Sequence, residues 1–344
     1  FMIYSIVRFL QETGQKIIIV VPTTSLVEQM YKDFFSYGWD VEEYCHRVYA
    51  GHEKVSSKPV TITTWQSVYK QHRKYFECFS AVIGDEAHLF KAKSLAHILT
   101  KLHHAKYRVG FTGTLDGSKT NKLVLEGLFG PHEKITNTNE LILQGHLSKL
   151  KIKIISLRHK PIKFDSYHEE IDYLVSHPRR NNFIKNLAVD LSGNSLILFN
   201  YVERHGEPLY ELINSNVKDG RKVFLVHGGV DVKDREDIRA ITEQESNAII
   251  IASYGTFSTG INIKNLHNII FASPSKSRVR NLQSIGRVLR KGENKNTAVL
   301  YDIADDTSKD SSNPNYTLRH LFERVKIYNQ ENFDYEIINV KLKQ

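Results

Sequence analysis

The sequence predicts an α/β protein made of two doubly wound parallel-sheet domains in tandem. Its apolar runs, such as IIIVV and AIIIA, are unbroken stretches rather than alternations of apolar and polar residues. Unbroken runs are typical of parallel strands that are buried on both faces. Helical patterns follow these runs along the chain, and this alternation indicates doubly wound domains. A chain of 344 residues has room for two of them, since a domain usually holds roughly 100–200 residues.

The first half of the chain is predicted to begin with an amphipathic helix over residues 1–13, which ends at Gly14. A second helix is predicted over residues 25–37, directly after the first strand. The strands of this half are predicted at 16–21, 60–64, 81–84 and 108–111.

The second half is predicted to hold a similar set of elements. Its strands are predicted at 151–157, 195–199, 222–226, 248–252, 268–272 and 298–303. Helices are predicted over 202–214, 231–242 and 317–329. The polar stretch 305–316 is predicted to be a mobile loop, and residues 335–342 a final strand.

The domain boundary is placed at 145–150, where the helix-like NELILQGHL gives way to the basic strand KLKIKIISL. The predicted domains therefore cover residues 1–147 and 148–344. A weak internal echo supports two similar domains, because IIIVVPTTSLVEQM and LILFNYVERHGEPLYELI each read as a strand, a short polar turn and a helix.

Composition narrows the class of protein without identifying it. Lys and Arg number 47 against 38 Asp and Glu, a net charge of +9, which suits a phosphate-backbone partner but does not require one. Only Cys45 and Cys78 occur, which argues against a disulfide framework or a cysteine zinc site. No apolar run reaches the roughly 18–20 residues of a membrane span, so no membrane partner is expected. The expected compartment is the cytoplasm, or a host cell's cytoplasm if a phage encodes the chain.

The sharpest local signal is DEAH at residues 85–88, directly after the apolar run AVIG. Carboxylates at the C-terminal end of a buried parallel strand lie where α/β sheets bind ligands. Phosphoryl transfer from ATP needs an Asp that holds Mg²⁺ and a group that orients the attacking water. Asp85 and Glu86 supply both. For four letters alone, a chance acidic strand end remains the alternative.

A second signal, QSIGRVLR at residues 283–290, lies in the other half of the chain and matches QxxGRxxR. Arg287 and Arg290 are three residues apart, so on a helix both guanidinium groups would face the same side. An arginine delivered to a γ-phosphate raises the rate by about 10³–10⁵. A solvated basic helix face is the alternative, and it becomes improbable when the pair follows DEAH in a second α/β domain.

These motifs, in this order, resemble the two-lobed RecA-like core of the superfamily 2 helicases. PTTSLVEQ at 22–29 resembles motif Ia, TTWQS at 63–67 the next DNA-facing motif, and TGT at 112–114 stands where the family usually has Ser-Ala-Thr. LFN at 198–200 fits motif IV, HGG at 227–229 with Arg235 fits the segment after it, and 253–262 resembles motif V.

Within that superfamily the chain looks most like the phage UvsW-type DNA helicases. The supporting stretches are VVPTTSLVEQM, TWQSV, ASYGTFSTGINIKNLHNII and IGRVLRK. The tail resembles the family's closing RxxxYxxExFxY pattern, at Arg324, Tyr328, Glu331, Phe333 and Tyr335. The resemblance implies work on branched DNA during replication, recombination and repair, with ATP and Mg²⁺ as cofactors.

The resemblance also implies the catalytic roles. Asp85 would hold Mg²⁺ with ATP, and Glu86 would activate the attacking water. His88 would couple the ATP site to Gln283. The remaining catalytic residues, which would stabilise charge on the transferred phosphoryl group, are Arg287 and Arg290.

Three further residues complete the cofactor-binding set that the resemblance implies. Thr114 would link hydrolysis to movement of the lobes. Gly260 and Asn262 belong to motif V, where the family often has Asp at the second of these positions to contact the ribose.

Nucleic-acid contacts are expected from loops at helix starts, where backbone N–H groups and hydroxyls grip phosphates without reading bases. The candidates are Thr23, Thr24, Thr64, Gln66, Asn200, His227, Gly228, Ser253 and Thr259. For each single Ser or Thr, capping of a helix is an equal alternative. DNA, single-stranded or branched, is the expected partner.

A GxxxxGK[ST] phosphate-binding loop is absent from these 344 residues. In the family this loop leads into a helix of the kind predicted at residues 1–13, so it is expected to precede Phe1 directly. The chain alone is therefore expected to hydrolyse little or no ATP.

Three alternatives stay open at this point. A restriction-system motor shares the same motifs, and an RNA-directed helicase is not separated from a DNA helicase by backbone contacts alone. A non-catalytic nucleic-acid-binding protein that lost its phosphate loop is the alternative from a different class. The sequence leaves the oligomeric state and the direction of movement open.

Overall fold

The structure is a computed structural model that describes residues 1–115, 119–218, 220–260, 263–273, 275–292, 295–310 and 312–342, with the side chains of 119, 120, 232 and 258–260 left aside. The chain divides into two compact units, Phe1–Glu133 and Lys134–Gln344. The interpretation of the sequence placed residues 134–147 in the first domain. In the structure they belong to the second unit, because Ile142 and Leu147 pack against its core.

The first unit is built around a parallel sheet with the strand order β2-β3-β1-β4-β5. The strands are β1 (Ile17–Val21), β2 (Cys45–Val48), β3 (Val60–Thr64), β4 (Ala81–Gly84) and β5 (Tyr107–Gly110). The helices are α1 (Met2–Glu12), α2 (Thr24–Ser36), α3 (Val41–Tyr44), α4 (Trp65–Val68), α5 (Arg73–Phe76), α6 (Lys93–Lys101) and α7 (Lys119–Phe129), with a 3₁₀ turn at Ala87–Lys91. Strands β1, β3 and β4 are buried along their whole length. The unbroken apolar runs of β1 and β4 predict this burial, whereas β3 reads VTITT.

The second unit is a parallel sheet with the order β12-β6-β11-β10-β7-β9-β8. Its strands are β6 (Lys149–Arg158), β7 (Ser195–Phe199), β8 (Val223–Val226), β9 (Ile249–Ser253), β10 (Asn268–Phe271), β11 (Thr297–Asp306) and β12 (Tyr335–Lys341). Its helices are α8 (Thr138–Leu143), α9 (Tyr167–Ser176), α10 (Pro178–Asp190), α11 (Glu207–Asn214), α12 (Val232–Gln244), α13 (Tyr254–Gly260), α14 (Arg278–Val288) and α15 (Tyr316–Gln330), with a π-helical turn at Val202–Gly206.

The two sheets confirm the α/β class and every predicted strand, with two differences. Strand β2 was not predicted because its centre, His46-Arg47, is polar. Residues 305 and 306 are the end of β11 rather than the start of a mobile loop, and Asp305 is fully buried. The reason is an ion pair with a buried arginine, described below.

Parallel pairing brings the carboxyl ends of all strands in a sheet to one edge, where α/β proteins bind their ligands. The motif residues of each unit follow strand ends, so each unit gathers its own set at that edge. Among the helices that the structure describes, none is long and apolar enough to cross a membrane.

Candidate functional site

In the first unit, the DEAH motif begins where the buried strand β4 ends. The backbone N–H of Asp85 still donates to the carbonyl of Val20 on β1, at 3.1 Å. The Asp85 Oδ1 atom accepts a hydrogen bond from the N–H of Glu86 at 2.9 Å. Glu86 has a φ of 50°, in the left-handed region that residues with a side chain rarely adopt. Such strain is concentrated at functional sites, and here it turns the chain sharply so that two carboxylates stand side by side at the sheet edge.

The Asp85 carboxylate is suited to a divalent cation. Burial and, to a lesser extent, the neighbouring charge of Glu86 raise the pKa of Asp85 to about 6, against the opposing effects of the Glu86 N–H and His88. A cation would remove both penalties, and carboxylate oxygens are ligands that Mg²⁺ prefers. In the described ranges, no group of three or more His, Cys, Asp or Glu residues could hold a metal. Since Mg²⁺ is usually held by one or two carboxylates together with other oxygen ligands, the Asp85 carboxylate fits that ion.

A chain of hydrogen bonds connects Glu86 to Thr114. The Thr112 hydroxyl donates to the carbonyl of Thr114 at 3.0 Å. The His88 Nδ1 atom lies 3.0 Å from this hydroxyl and 3.2 Å from Glu86 Oε2. Because the hydroxyl proton is already used, Nδ1 carries the proton and donates to both oxygens. The structure thus brings Asp85, Glu86, His88 and Thr114 together, and it adds Thr112, whose role the sequence did not show.

The nucleic-acid candidates of the first unit lie at the same sheet edge, but their side chains differ in exposure and in the hydrogen bonds they already make. Thr23 caps α2, its side chain accepting from the N–H of Leu26 at 3.4 Å. Thr64 is buried, and its hydroxyl lies 2.9 Å from Ser67 Oγ. Thr24 and Gln66 are exposed. The helix-capping alternative therefore describes Thr23, whereas the side chains of Thr24 and Gln66 are open to solvent.

In the second unit, Asn200 follows β7, His227 follows β8, and Ser253 is the last residue of β9, which lies between those two strands. Asn200 Oδ1 accepts from Arg280 Nη1 at 3.2 Å. The Ser253 hydroxyl caps α13 by accepting from the N–H of Thr256 at 3.4 Å, and it donates to Thr256 Oγ1 at 2.9 Å. His227 Nδ1 accepts from the N–H of Gly229 at 3.2 Å.

The other predicted residues of this edge are less fully defined. Gly228, next to His227, is exposed. Thr259 and Gly260 lie in the last turn of α13, and only their backbone is described. Asn262 lies outside the described residues.

Helix α14 carries Gln283 and Arg287, one turn apart on the same face. Arg287 lies with its guanidinium carbon 5.8 Å from the ring centre of Phe257 on α13. The expectation that Arg290 continues this helix is wrong, because α14 ends at Val288 and Leu289 is its C-cap. The buried Lys295 ammonium binds the carbonyls of Val288 and Arg290, which satisfies the helix end and turns the chain there.

Two buried Arg–Asp pairs, which the sequence did not predict, hold the segment between β10 and α14. Arg180 of α10 donates from Nε to Asp305 Oδ1 at 2.8 Å and from Nη2 to the carbonyl of Ala272 at 2.7 Å. Arg324 of α15 donates from Nε to Asp302 Oδ2 at 2.8 Å and from Nη1 to the carbonyl of Ser275 at 3.1 Å. Asp302 and Asp305 are an odd number of residues apart on β11, so they face opposite sides of the sheet.

The closing sequence pattern gains a structural meaning from these contacts. Arg324 and the Tyr328 hydroxyl both bind Asp302, the hydroxyl at 2.8 Å. Glu331 pairs with Arg278, the first residue of α14. The closing pattern therefore contains residues whose contacts hold α14 in place. The sequence alone did not show what these residues contact.

Comparisons with known proteins agree with this arrangement. Residues 1–117 match the family described as type III restriction enzyme, res subunit, and residues 179–292 match the helicase conserved C-terminal domain. The ATP-dependent DNA helicase uvsW of Enterobacteria phage T4 is 34% identical over 97% of this chain and 70% of its own length. A putative ATP-dependent RNA helicase of Acanthamoeba polyphaga mimivirus is 25% identical over 82% of this chain and 56% of its own length.

One solved structure extends the likeness of the fold. A fragment of a putative HsdR subunit of a type I restriction enzyme from Vibrio vulnificus YJ016 matches with a TM-score of 0.68, at 16% identity, over 95% of this chain and 58% of the other. At that identity the match speaks for the fold alone. The identity to uvsW along nearly the whole chain, together with both domain matches, shows that the chain belongs to the UvsW-type family of superfamily 2 helicases.

Proposed function

We propose that this chain carries the motor core of an ATP-dependent DNA helicase or translocase that acts on branched DNA in phage replication, recombination and repair. The observation that carries the proposal is the connected set Glu86–His88–Thr112–Thr114 next to the buried Asp85. The set joins a water-activating carboxylate to the motif expected to transmit the result of hydrolysis. Membership of the UvsW-type family supports DNA as the substrate, since its phage T4 relative is named a DNA helicase.

In the proposed mechanism, bound Mg–ATP supplies the phosphoryl group that is transferred to water. Asp85 would hold the cation, which would neutralise charge on the phosphates, and Glu86 would orient the attacking water and take up its proton. The N–H of His88 holds the Glu86 carboxylate in place. When that carboxylate becomes protonated its bond to His88 weakens, and Thr112 and Thr114 sense the change through the same imidazole.

The second unit is proposed to stabilise charge on the phosphates and to bind the nucleic-acid backbone. Arg287 and Arg290 would contact the phosphates, with Gln283 one turn before Arg287. Arginine contacts of this kind raise phosphoryl-transfer rates by about 10³–10⁵. The strand-end residues Asn200 and Ser253 would bind the nucleic-acid backbone, without reading its sequence.

The experiment that tests the proposed substrate compares partners directly. ATP hydrolysis by the protein as its gene encodes it is measured without nucleic acid and with single-stranded DNA, branched DNA or RNA. We expect DNA to stimulate hydrolysis and branched DNA to be unwound. Stimulation by RNA but not by DNA would move the assignment to an RNA helicase.

Two other functions have a specific observation in their favour. The match of residues 1–117 to a restriction-enzyme subunit favours a restriction motor, which a nuclease encoded beside the chain would support. The absence of a phosphate-binding loop from residues 1–344 favours a non-catalytic binding module, which DNA binding without any response to ATP would support.

A further inference from the structure

Arg280, which lies outside the QSIGRVLR motif, shares a face of α14 with two residues of that motif. It stands three residues before Gln283 and seven before Arg287 on this helix. Residues at these spacings lie on one side of an α-helix. Two turns, about 10 Å along the axis, separate Arg280 from Arg287. Arg280 therefore extends the helix face that carries Gln283 and Arg287 towards the start of the helix.

Two contacts hold the Arg280 side chain, although the residue is exposed. Its guanidinium carbon lies over the ring of Tyr254, 5.4 Å from the ring centre, which is a cation–π distance. Tyr254 is buried, and its hydroxyl donates to the carbonyl of Ser273 at 3.2 Å, so the ring is a fixed support. The second contact is the hydrogen bond from Arg280 Nη1 to Asn200 Oδ1 at 3.2 Å. Together they give the guanidinium a defined place and orientation.

The bond to Arg280 decides which end of the Asn200 amide faces outwards. An arginine carries N–H donors and no acceptor, so only the oxygen of an amide can face it. Asn200 Nδ2, with its two N–H donors, therefore points away from Arg280. The backbone of Asn200 is fixed as well, because its N–H donates to the hydroxyl of the buried Ser273 at 3.2 Å. An oriented amide donor directly after β7 is suited to a phosphate oxygen of a nucleic-acid strand.

We propose that Arg280 is a positioning residue that couples nucleic-acid binding at Asn200 to the arginine-bearing face of α14. The proposal rests on the proposed function, which assigns the strand to Asn200 and the ATP phosphates to Arg287. A strand bound by the Asn200 amide is held, through Arg280, at a fixed place relative to Arg287. Without the guanidinium the amide rotates freely, so that a strand still binds but stimulates hydrolysis less.

A direct contact between Arg280 and a phosphate is the competing role, and it leads to a different expectation. Such a contact depends on the positive charge, which a lysine keeps. The positioning role depends on the planar guanidinium, which lies over Tyr254 and at the same time directs an N–H at Asn200. A lysine has neither the plane nor the fixed fork of donors. Arg280→Lys therefore separates the two roles.

The test measures ATP hydrolysis by the protein as its gene encodes it, with and without saturating single-stranded DNA, for Arg280→Gln and Arg280→Lys. The two readouts are the ratio of the stimulated rate to the rate without DNA and the DNA concentration that gives half of the maximal stimulation. We expect the ratio to fall by about 3- to 100-fold in both variants, as for residues of one hydrogen-bond network. The half-maximal DNA concentration should change less.

Lys276→Gln is the matched control, because Lys276 is exposed in the segment before α14 and the substitution removes the same charge. Its stimulation ratio should stay at the wild-type value. A double-mutant cycle with Asn200→Ala then tests whether Arg280 acts through Asn200. Effects of coupled residues are not additive, so Arg280→Gln should lower the ratio by less than about twofold when Asn200 is already Ala.

The outcomes separate this role from the proposed function. If DNA stimulates the wild type, three results overturn the positioning role and leave the proposed function intact. They are a wild-type ratio in Arg280→Gln or Arg280→Lys, an equal fall in Lys276→Gln, and a full further loss when Arg280→Gln is added to Asn200→Ala. A wild type that DNA does not stimulate overturns the proposed function and this role with it.

Discussion

At the scale of single residues, the hydrogen bonds beside Asp85 are set by which atoms of His88 and Thr112 carry protons. His88 donates from one nitrogen to both Glu86 and Thr112, so one imidazole contacts both the Glu86 carboxylate and the segment after β5. The Thr112 hydroxyl both accepts and donates, from His88 and to Thr114. We therefore propose that Thr112 transmits the position of His88 to Thr114 without taking part in the reaction.

Replacing Thr112 by Val should separate hydrolysis from movement. The substitution keeps the shape of the side chain but removes the hydroxyl that connects His88 to Thr114. We expect DNA unwinding to fall at least tenfold, a loss of about 1.4 kcal/mol in coupling, while ATP hydrolysis falls much less. Steady-state hydrolysis and strand-separation assays on the same preparation measure both, and an equal fall in the two rates would contradict the assigned role.

His205 should make the second unit sensitive to acid. Burial and the nearby Arg180 lower the pKa of His205 to about 3, whereas the unfolded chain takes up this proton near pH 6.5. The stabilising contribution is therefore complete above pH 6.5 and is lost as the pH falls from 6.5 towards 3, by about 1.4 kcal/mol per pH unit.

The measurement compares urea unfolding of the wild type and His205→Gln at pH 7.5 and pH 5.5. The wild type should lose about 1 kcal/mol more of its free energy of unfolding than the variant between these two values. Parallel losses in the two proteins would show that another group controls the acid response.

At the scale of elements, α14 is held at both ends by buried polar contacts. Arg180 and Arg324 bind the carbonyls of Ala272 and Ser275 before the helix, and Lys295 binds carbonyls after it. A helix that carries Gln283 and Arg287 is thereby fixed against the sheet. Each attachment uses a charged side chain whose hydrogen bonds compensate for its burial.

Replacing Lys295 by Met should loosen the C-terminal end of α14. The buried ammonium is lost, and the carbonyls of Val288 and Arg290 lose their donor. We expect a loss of about 1–3 kcal/mol in the free energy of unfolding, measured by urea titration. Lys291→Met is the matched control, because Lys291 is exposed and should change stability little. Equal effects of the two substitutions would argue against the capping role of Lys295.

At the scale of the whole molecule, the order of strands and motifs was predictable because it follows from burial. Strands covered on both faces are mostly apolar, and parallel pairing brings the polar residues that follow them to one edge. The side-chain contacts were not predictable in the same way. Arg180 and Asp305 are 125 residues apart in sequence, and Asp305 closes a strand, TAVLYDIADD, whose last residues look like a polar loop. The sequence did not predict that α14 ends at Val288. That end depends on Lys295, which lies outside the QSIGRVLR motif.

The chain of residues 1–344 should hydrolyse little ATP when purified alone. Its sequence supplies carboxylates and arginines but no loop whose backbone N–H groups cradle the β- and γ-phosphates. Phosphate release with saturating DNA should stay within a few-fold of the protein-free background. Steady DNA-stimulated release would show that other residues of this chain bind the phosphates.

The central claim is that this fold is an ATP-driven DNA motor with Glu86 as the residue that activates water. The most direct measurement is DNA-stimulated ATP hydrolysis by the protein as its gene encodes it, for the wild type and Glu86→Gln. The substitution keeps the size of the side chain and removes its capacity to take a proton. We predict that hydrolysis falls by about 10²–10⁴, with ATP and DNA binding retained. Unchanged hydrolysis in Glu86→Gln, or a wild type that binds DNA and never responds to ATP, would contradict the account.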